Sequence, residues 1–176
     1  MAVRRVVTGH NEAGKAVFAS DENVEPVTVA LAPGMEFYRL WEADEVPRFP
    51  DAGSQESGLH YFPPLGGFRF GLVSIPPNST VVGDPTEADV AELEEKMPGL
   101  AQHIEPDNPG MHTTATVDYE VVLSGRVVLE LDDGASTELG PGDTVVQNGT
   151  RHAWRNPFDE PCLFAVVLIG AHHDKL

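Results

Sequence analysis

One short segment of the sequence places side chains that can do chemistry at alternate positions. His112, Thr114, Thr116 and Asp118 are each two residues apart, so in an extended strand they share one face. A second histidine, His152, follows about forty residues later. An imidazole that is held by a carboxylate can accept or donate a proton near neutral pH. The segment is therefore a candidate for acid–base chemistry or for binding a metal ion.

The opposite face of the same strand is apolar, because Val117, Tyr119, Val121 and Leu123 occupy the intervening positions. A strand with one polar and one apolar face suits the wall of a barrel that has a wet interior. Other segments with strand character surround it at close spacing: 3–7, 16–19, 24–31, 37–41, 68–75, 126–131, 144–147 and 162–169. Short strands separated by turns are typical of an all-β sandwich or barrel and not of a parallel α/β sheet.

One segment has helical periodicity, at about residues 85–97. Val90, Leu93 and Met97 recur on one face, and Glu92 lies four residues before Lys96. We predict one short helix here. The segment 84–110 leads directly into His112, so we expect it to border the mouth of the barrel. Residues 42–67 are rich in Pro, Gly, Ser and Asp and have no period, which predicts a long loop.

The composition of the chain indicates which binding partners and which cellular compartment to expect. The chain has 28 acidic and 11 basic residues and a net charge of −17, which argues against a nucleic-acid partner. The single cysteine, Cys162, excludes an intramolecular disulfide and lies in an apolar run, where a buried, inert thiol is expected. The sequence starts without an apolar stretch of signal-peptide length and has no segment of membrane-span length. We therefore expect a cytoplasmic protein with no membrane partner.

The order and spacing of these residues resemble the two motifs of the cupin superfamily, over about residues 110–169. The first motif is matched by His112-Thr-Thr114, Asp118 and Gly125, and the second by Gly142-Asp143, Asn148-Gly149, His152 and Asn156. The resemblance implies an all-β fold, a double-stranded β-helix (jelly-roll) barrel with an N-terminal strand arm and one short helix. Residues 1–67 would form the arm and a long loop that packs on the barrel, and residues 68–176 would form the barrel.

Three positions depart from the cupin motifs. Thr114 replaces the second metal-binding histidine, Asp118 stands where glutamate is usual, and Asn148 stands near the usual proline. The remaining set, His112, Asp118 and His152, has the composition of a site with two histidines and one carboxylate, which binds non-haem iron or zinc. The resemblance implies that these three residues are the metal ligands and the catalytic residues. The cofactor would be a divalent ion of iron, zinc, manganese or nickel.

Alternatives remain open at this stage. Without metal, the same three residues can act as an acid–base set, or His112 and Asp118 can simply hydrogen-bond each other. We expect a metal-dependent enzyme that acts inside the barrel on a small organic acid, an aromatic or a polyketide-like substrate, as an oxygenase or as a lyase, isomerase or dehydratase. The rival is a ligand-binding or regulatory barrel without turnover. Five residues are predicted to line the substrate site: Thr114, Thr116, Tyr119, Gln147 and Trp154.

We also expect a homodimer. The extended segments 3–7 and 24–31 precede the barrel and need strand edges with which to pair.

Overall fold

A computed structural model describes residues 2–80 and 86–175 of the chain. In these ranges it contains ten strands and one α-helix. They are β1 (Val3–His10), β2 (Ala16–Val24), β3 (Glu36–Ala43), β4 (Phe68–Ile75), α1 (Glu87–Lys96), β5 (Thr116–Ser124), β6 (Val127–Glu130), β7 (Ser136–Leu139), β8 (Thr144–Asn148), β9 (Ala153–Arg155) and β10 (Cys162–Gly170). The all-β prediction is confirmed. The sequence analysis did not predict strands β7 and β9.

The barrel is built from two antiparallel sheets. One has five strands in the order β3-β4-β10-β5-β8, and the other has three in the order β7-β6-β9. Both sheets contribute buried side chains to one hydrophobic core, among them Phe37, Val73, Val122, Val127, Leu129, Leu139, Phe164 and Val166. The core therefore lies between the sheets, as a jelly-roll barrel requires. The thiol of Cys162 is fully buried in this core, as predicted.

The N-terminal strands β1 and β2 form a hairpin with each other. Val3 packs with Tyr38, Leu40 and Leu72 in a second, smaller cluster. In β4, Leu72 points away from Val73 of the main core, so the hairpin packs on the outer face of the large sheet. Strand β1 therefore pairs with β2 of the same chain along one edge, and the homodimer stays a prediction.

The predicted strand at 24–31 is largely irregular. Strand β2 ends at Val24, and beyond it Val27 makes an isolated bridge to Phe37. Pro26 has no backbone N–H to donate to a ladder, which explains why the strand does not continue. In contrast, β3 pairs with β4 along most of its length and forms one edge of the large sheet.

Helix α1 begins with a capping box. The hydroxyl of Thr86 accepts a hydrogen bond from the backbone N–H of Asp89, and the Asp89 carboxylate accepts one from the backbone N–H of Thr86. Leu93 is buried in the main core, whereas Val90, predicted on the same face, is exposed. Residues 84 and 85, where the helix was predicted to start, lie outside the described residues.

No helix within residues 2–80 and 86–175 is long and apolar enough to cross a membrane.

Candidate active site

His112 and His152 form an antiparallel pair at the edge of the barrel interior. The backbone N–H of each donates to the carbonyl of the other, both at 2.9 Å. Their ring centroids are 4.2 Å apart and the rings are tilted by 50°. Two residues that are about forty positions apart in the sequence are therefore fixed side by side by their own main chains.

Both imidazoles are oriented in the same way. Nδ1 of His112 lies 2.9 Å from the carbonyl oxygen of Gly110, and Nδ1 of His152 lies 2.9 Å from that of Thr150. A carbonyl oxygen only accepts, so Nδ1 of each ring carries the proton and Nε2 of the neutral ring has a free lone pair. Burial lowers the pKa of His152 to about 4, with a contribution from the nearby His112. Burial also lowers the pKa of His112. Both rings are therefore neutral bases at pH 7.

Two carboxyl groups project into the barrel from β5. The inward residues of this strand are Thr116, Asp118, Glu120 and Val122. Asp118 is 3% exposed and Glu120 is 7% exposed. Burial raises the pKa of Asp118 to about 6, against a smaller opposing effect of the Thr116 hydroxyl. Burial, with the charge of Asp118 as a second cause, raises the pKa of Glu120 to about 8. At neutral pH the carboxyl of Glu120 is therefore mostly protonated, whereas that of Asp118 is mostly ionised.

The structure brings His112 and His152 together but leaves Asp118 apart from them. In the described part of the chain, no hydrogen bond or ion pair joins Asp118 to either imidazole, and no group of three or more His, Cys, Asp or Glu residues could hold a metal ion. The reason is the sheet register, because Asp118 pairs with Gln147 and Leu168 in the middle of the large sheet. The two histidines lie outside that sheet.

This arrangement fits a metal ion only in part. The free Nε2 atoms of His112 and His152, each with Nδ1 bonded to a carbonyl, are the kind of nitrogen that binds a divalent cation. The hydroxyl of Thr114 is already bonded to that of Thr116, at 2.8 Å. The third protein ligand that the sequence predicts, Asp118, does not join the two nitrogens. The side chains as arranged do not form the predicted three-ligand centre, and metal binding stays a prediction.

The predicted substrate-lining residues take different positions. Thr114, Thr116 and Gln147 are buried, and the Gln147 amide donates to the carbonyl oxygen of Thr150 at 3.0 Å. Trp154 packs edge-on against His152, with ring centroids 6.1 Å apart. The prediction that Tyr119 lines the substrate site is wrong, because Tyr119 is 48% exposed on the outer face of β5. It follows an inward residue directly, and strand alternation therefore turns it outward.

The long loop supplies residues that the sequence analysis did not select for the site. Tyr61 and Phe62 pack into the main core. The ring of Phe62 lies 4.9 Å from that of Tyr61, 4.7 Å from that of His103 and 6.3 Å from that of His112. The loop thus closes over the interior beside the histidine pair. Its signal in the sequence was an aromatic pair in an otherwise polar, turn-rich segment.

Two arginines, the half-buried Arg39 and the buried Arg69, hold this loop in place. Arg39 donates to the carbonyl of Leu59 at 2.8 Å, and Arg69 donates to that of His60 at 2.9 Å. Arg39 also pairs with Glu42 at 2.6 Å, and Arg69 pairs with Asp44 at 2.6 Å. The positive groups inside the barrel therefore have structural partners.

Comparisons with known proteins agree with this architecture. The sequence profile described as "Cupin domain" matches residues 102–168. Oryzines biosynthesis cluster protein J of Aspergillus oryzae is 30% identical over 156 residues, which cover 88% of this chain and 75% of that protein. Cupin-domain-containing oxidoreductase fogC of Aspergillus ruber is 34% identical over 70 residues, which cover 40% of this chain and 31% of that protein.

Among solved structures, a Cupin 2 conserved barrel domain protein from Salinispora arenicola aligns with 86% of this chain and 92% of its own, at 17% identity and a TM-score of 0.44. The family assignment rests on the profile match and on the relative from Aspergillus oryzae, most of whose length this chain covers. This chain belongs to the cupin superfamily.

Proposed function

We propose that this protein is an enzyme that transfers protons to and from a small organic molecule inside the cupin barrel. The observation that carries the proposal is the His112–His152 pair, two neutral imidazoles whose free Nε2 atoms are fixed by hydrogen bonds at Nδ1. A neutral imidazole with a lowered pKa is a base that is unprotonated and ready at pH 7. The pair is therefore the proton acceptor of the site.

The carboxyl groups of Asp118 and Glu120 supply the complementary acid. The raised pKa of Glu120 leaves its carboxyl mostly protonated at pH 7, and the raised pKa of Asp118 makes that carboxyl easier to protonate than it would be in water. Titratable groups whose environments push their pKa values in opposite directions are typical of acid–base active sites. Removal of a proton at one place and donation at another is the chemistry of a lyase, an isomerase or a dehydratase.

The walls of the barrel support a substrate with an aromatic or polyketide-like part. Rings from the loop and from β9 and β10 contact each other and the two histidines, and they include Tyr61, Phe62, Trp154 and Phe164. Flat apolar surfaces of this kind pack favourably against unsaturated carbon skeletons. The relative from Aspergillus oryzae is named as a biosynthesis cluster protein, which supports a role in making a small organic compound.

A second candidate is redox chemistry at a divalent ion held by His112 and His152. The name of the Aspergillus ruber relative, a cupin-domain-containing oxidoreductase, favours it. The two free Nε2 atoms would be its protein ligands, and the ion would activate oxygen or a substrate oxygen atom.

Deuterium exchange tests the first candidate against the second. The wild-type protein, dialysed against EDTA, is mixed in D2O with a panel of 1,3-dicarbonyl compounds, and the loss of C–H signal is followed by NMR. We expect exchange above the buffer rate for the wild type, none above it for His152→Asn, and a wild-type rate for the distant control His10→Asn. Exchange that disappears with EDTA and returns with added iron but not with zinc would favour the second candidate. Absence of exchange with every compound would reject the first.

A further inference from the structure

We propose that the barrel recognises a cationic amino group of its ligand through Asp118 and Glu120. This inference rests on the proposed function, because it assigns a substrate class to the same interior. It replaces the organic acid that the sequence suggested with an organic amine. The argument uses the hydrogen bonding of the two carboxyls, their neighbours in the sheet and the partners of the nearby arginines.

The two carboxyls have unused hydrogen-bonding capacity. Oδ1 of Asp118 and Oε2 of Glu120 are buried and have no hydrogen-bond partner in the part of the chain that the structure describes. Buried carboxyl oxygens without a partner are rare in folded proteins, because each loses its hydration and gains nothing in return. An ammonium group carries up to three N–H donors and can supply a hydrogen bond to both oxygens.

The neighbours of these carboxyls in the sheet cannot supply the missing donors. On β10, Asp118 lies beside Leu168 and Glu120 lies beside Val166. On β8, Glu120 lies beside Val145, and Asp118 lies beside Gln147. The neighbouring Gln147 amide already donates to Thr150. The paired residues of the neighbouring strands are therefore apolar or already hydrogen-bonded, and the nearby hydroxyl donor is that of Tyr61 in the loop, which is close enough to feel the charge of both carboxyls.

The arginines near the site already have ion-pair partners. Arg39 pairs with Glu42, and Arg69 pairs with Asp44 and donates to the carbonyls of Ala43, His60 and Phe68. The ionised carboxylate of Asp118 is left without a counter-ion of its own, and the protonated carboxyl of Glu120 lies beside it on the same face of β5. An anionic ligand would bring further negative charge to this place, whereas a cationic ligand would neutralise it.

Aromatic rings beside the site favour the same class of ligand. A cavity of about 20 Å³ is lined by Tyr61, Val166 and Leu168 and also by the ion-paired Arg39, Glu42 and Arg69, whereas Asp118 and Glu120 are not among its lining residues. This is room for about one water molecule. Val166 pairs with Glu120 and Leu168 pairs with Asp118 in the sheet, so a ligand held by the two carboxyls would lie close to the ring of Tyr61. Aromatic faces attract organic cations more strongly than neutral or anionic groups of the same shape.

The test compares three probes of similar shape but different charge. Binding of benzylamine, benzyl alcohol and benzoate to the full-length protein is measured by calorimetry and by NMR at pH 7 and physiological salt. Benzylamine should bind at least about tenfold more tightly than benzyl alcohol, which corresponds to one charge-assisted hydrogen bond, and benzoate should bind most weakly. Glu120→Gln and Asp118→Asn should each remove most of the preference for the amine.

The control variant Glu45→Gln removes one exposed carboxylate and so lowers the overall negative charge. It should keep the preference, because the preference is expected to come from Asp118 and Glu120, whereas attraction by the overall negative charge would weaken in this variant as well. Equal binding of benzoate and benzylamine, no binding of any probe, or an equal loss in Glu45→Gln would overturn the inference. Amine binding without deuterium exchange would support this inference while rejecting the proposed function. Deuterium exchange without a preference for the amine would support the proposed function and reject this inference.

Discussion

The side chains of His112 and His152 repeat one local geometry. In each, Nδ1 lies 2.9 Å from the carbonyl oxygen two residues earlier in the chain, and the two residues exchange backbone hydrogen bonds of 2.9 Å. The two rings are thus fixed by the main chain with their centroids 4.2 Å apart. At this separation two positive charges repel each other, so the protonation of one ring opposes protonation of the other.

This coupling predicts the effect of His112→Asn on its neighbour. The pKa of His152, about 4 in the wild type, should rise in the variant, because a like charge is removed and water enters the vacated space. The measurement is an NMR titration of the ring protons of His152. The variant His10→Asn, at the end of the distant strand β1, should leave that titration unchanged. An unchanged titration in His112→Asn would show that the rings do not interact.

Glu120→Gln should make the protein more stable at alkaline pH. The folded state holds Glu120 with a pKa of about 8, above the ordinary value of 4.5. The folded protein therefore retains a proton that the unfolded chain releases, and the free energy of unfolding falls as the pH rises from about 4.5 to about 8.

The glutamine variant lacks this penalty, so its advantage over the wild type should grow through that window to a few kcal/mol and stay constant above it. The measurement is denaturant unfolding at several pH values. Glu45→Gln provides the exposed comparison, and its curve should follow that of the wild type. If the advantage of Glu120→Gln did not depend on pH, Glu120 would not be protonated in the folded state.

Arg69→Lys should loosen the loop that closes the barrel. The guanidinium of Arg69 donates to three backbone carbonyls and to Asp44, a set that one lysine nitrogen cannot reach. We expect a loss of about 2 kcal/mol in the free energy of unfolding. Amide hydrogen exchange at residues 59–62 should also become faster. Arg4→Lys, which alters an exposed ion pair with Asp21, should leave both measurements unchanged.

Asn156→Ala should destabilise the fold without directly altering the histidine pair. Asn156 is 0% exposed, and its amide donates to the carbonyls of Ile75 and Glu160 and accepts from the backbone N–H of Phe158. The truncation leaves these buried groups without partners, and we expect a loss of about 3 kcal/mol in the free energy of unfolding. Asn148→Ala, at an exposed position, is the matched control. Equal stability of the two variants would contradict this structural role.

The sequence alone was enough to predict the barrel. Alternating polar and apolar residues around Asp118 have a period of two, and that period by itself decides which side chains share a face of β5. The predicted strand 68–75 coincides with β4, and the apolar run at Cys162 became β10. These elements depend on local patterns, which is why they could be predicted without knowledge of the fold.

Only the tertiary structure decided which polar side chains meet. His112 and His152 come together through an isolated bridge, while Asp118 is carried away from them by the register of β5 with β8 and β10. The loop residues Tyr61 and Phe62 reach the interior because Arg39 and Arg69 hold the loop carbonyls next to them. Strand register and loop docking are set by contacts between segments far apart in the chain, and no pattern within a single segment contains them.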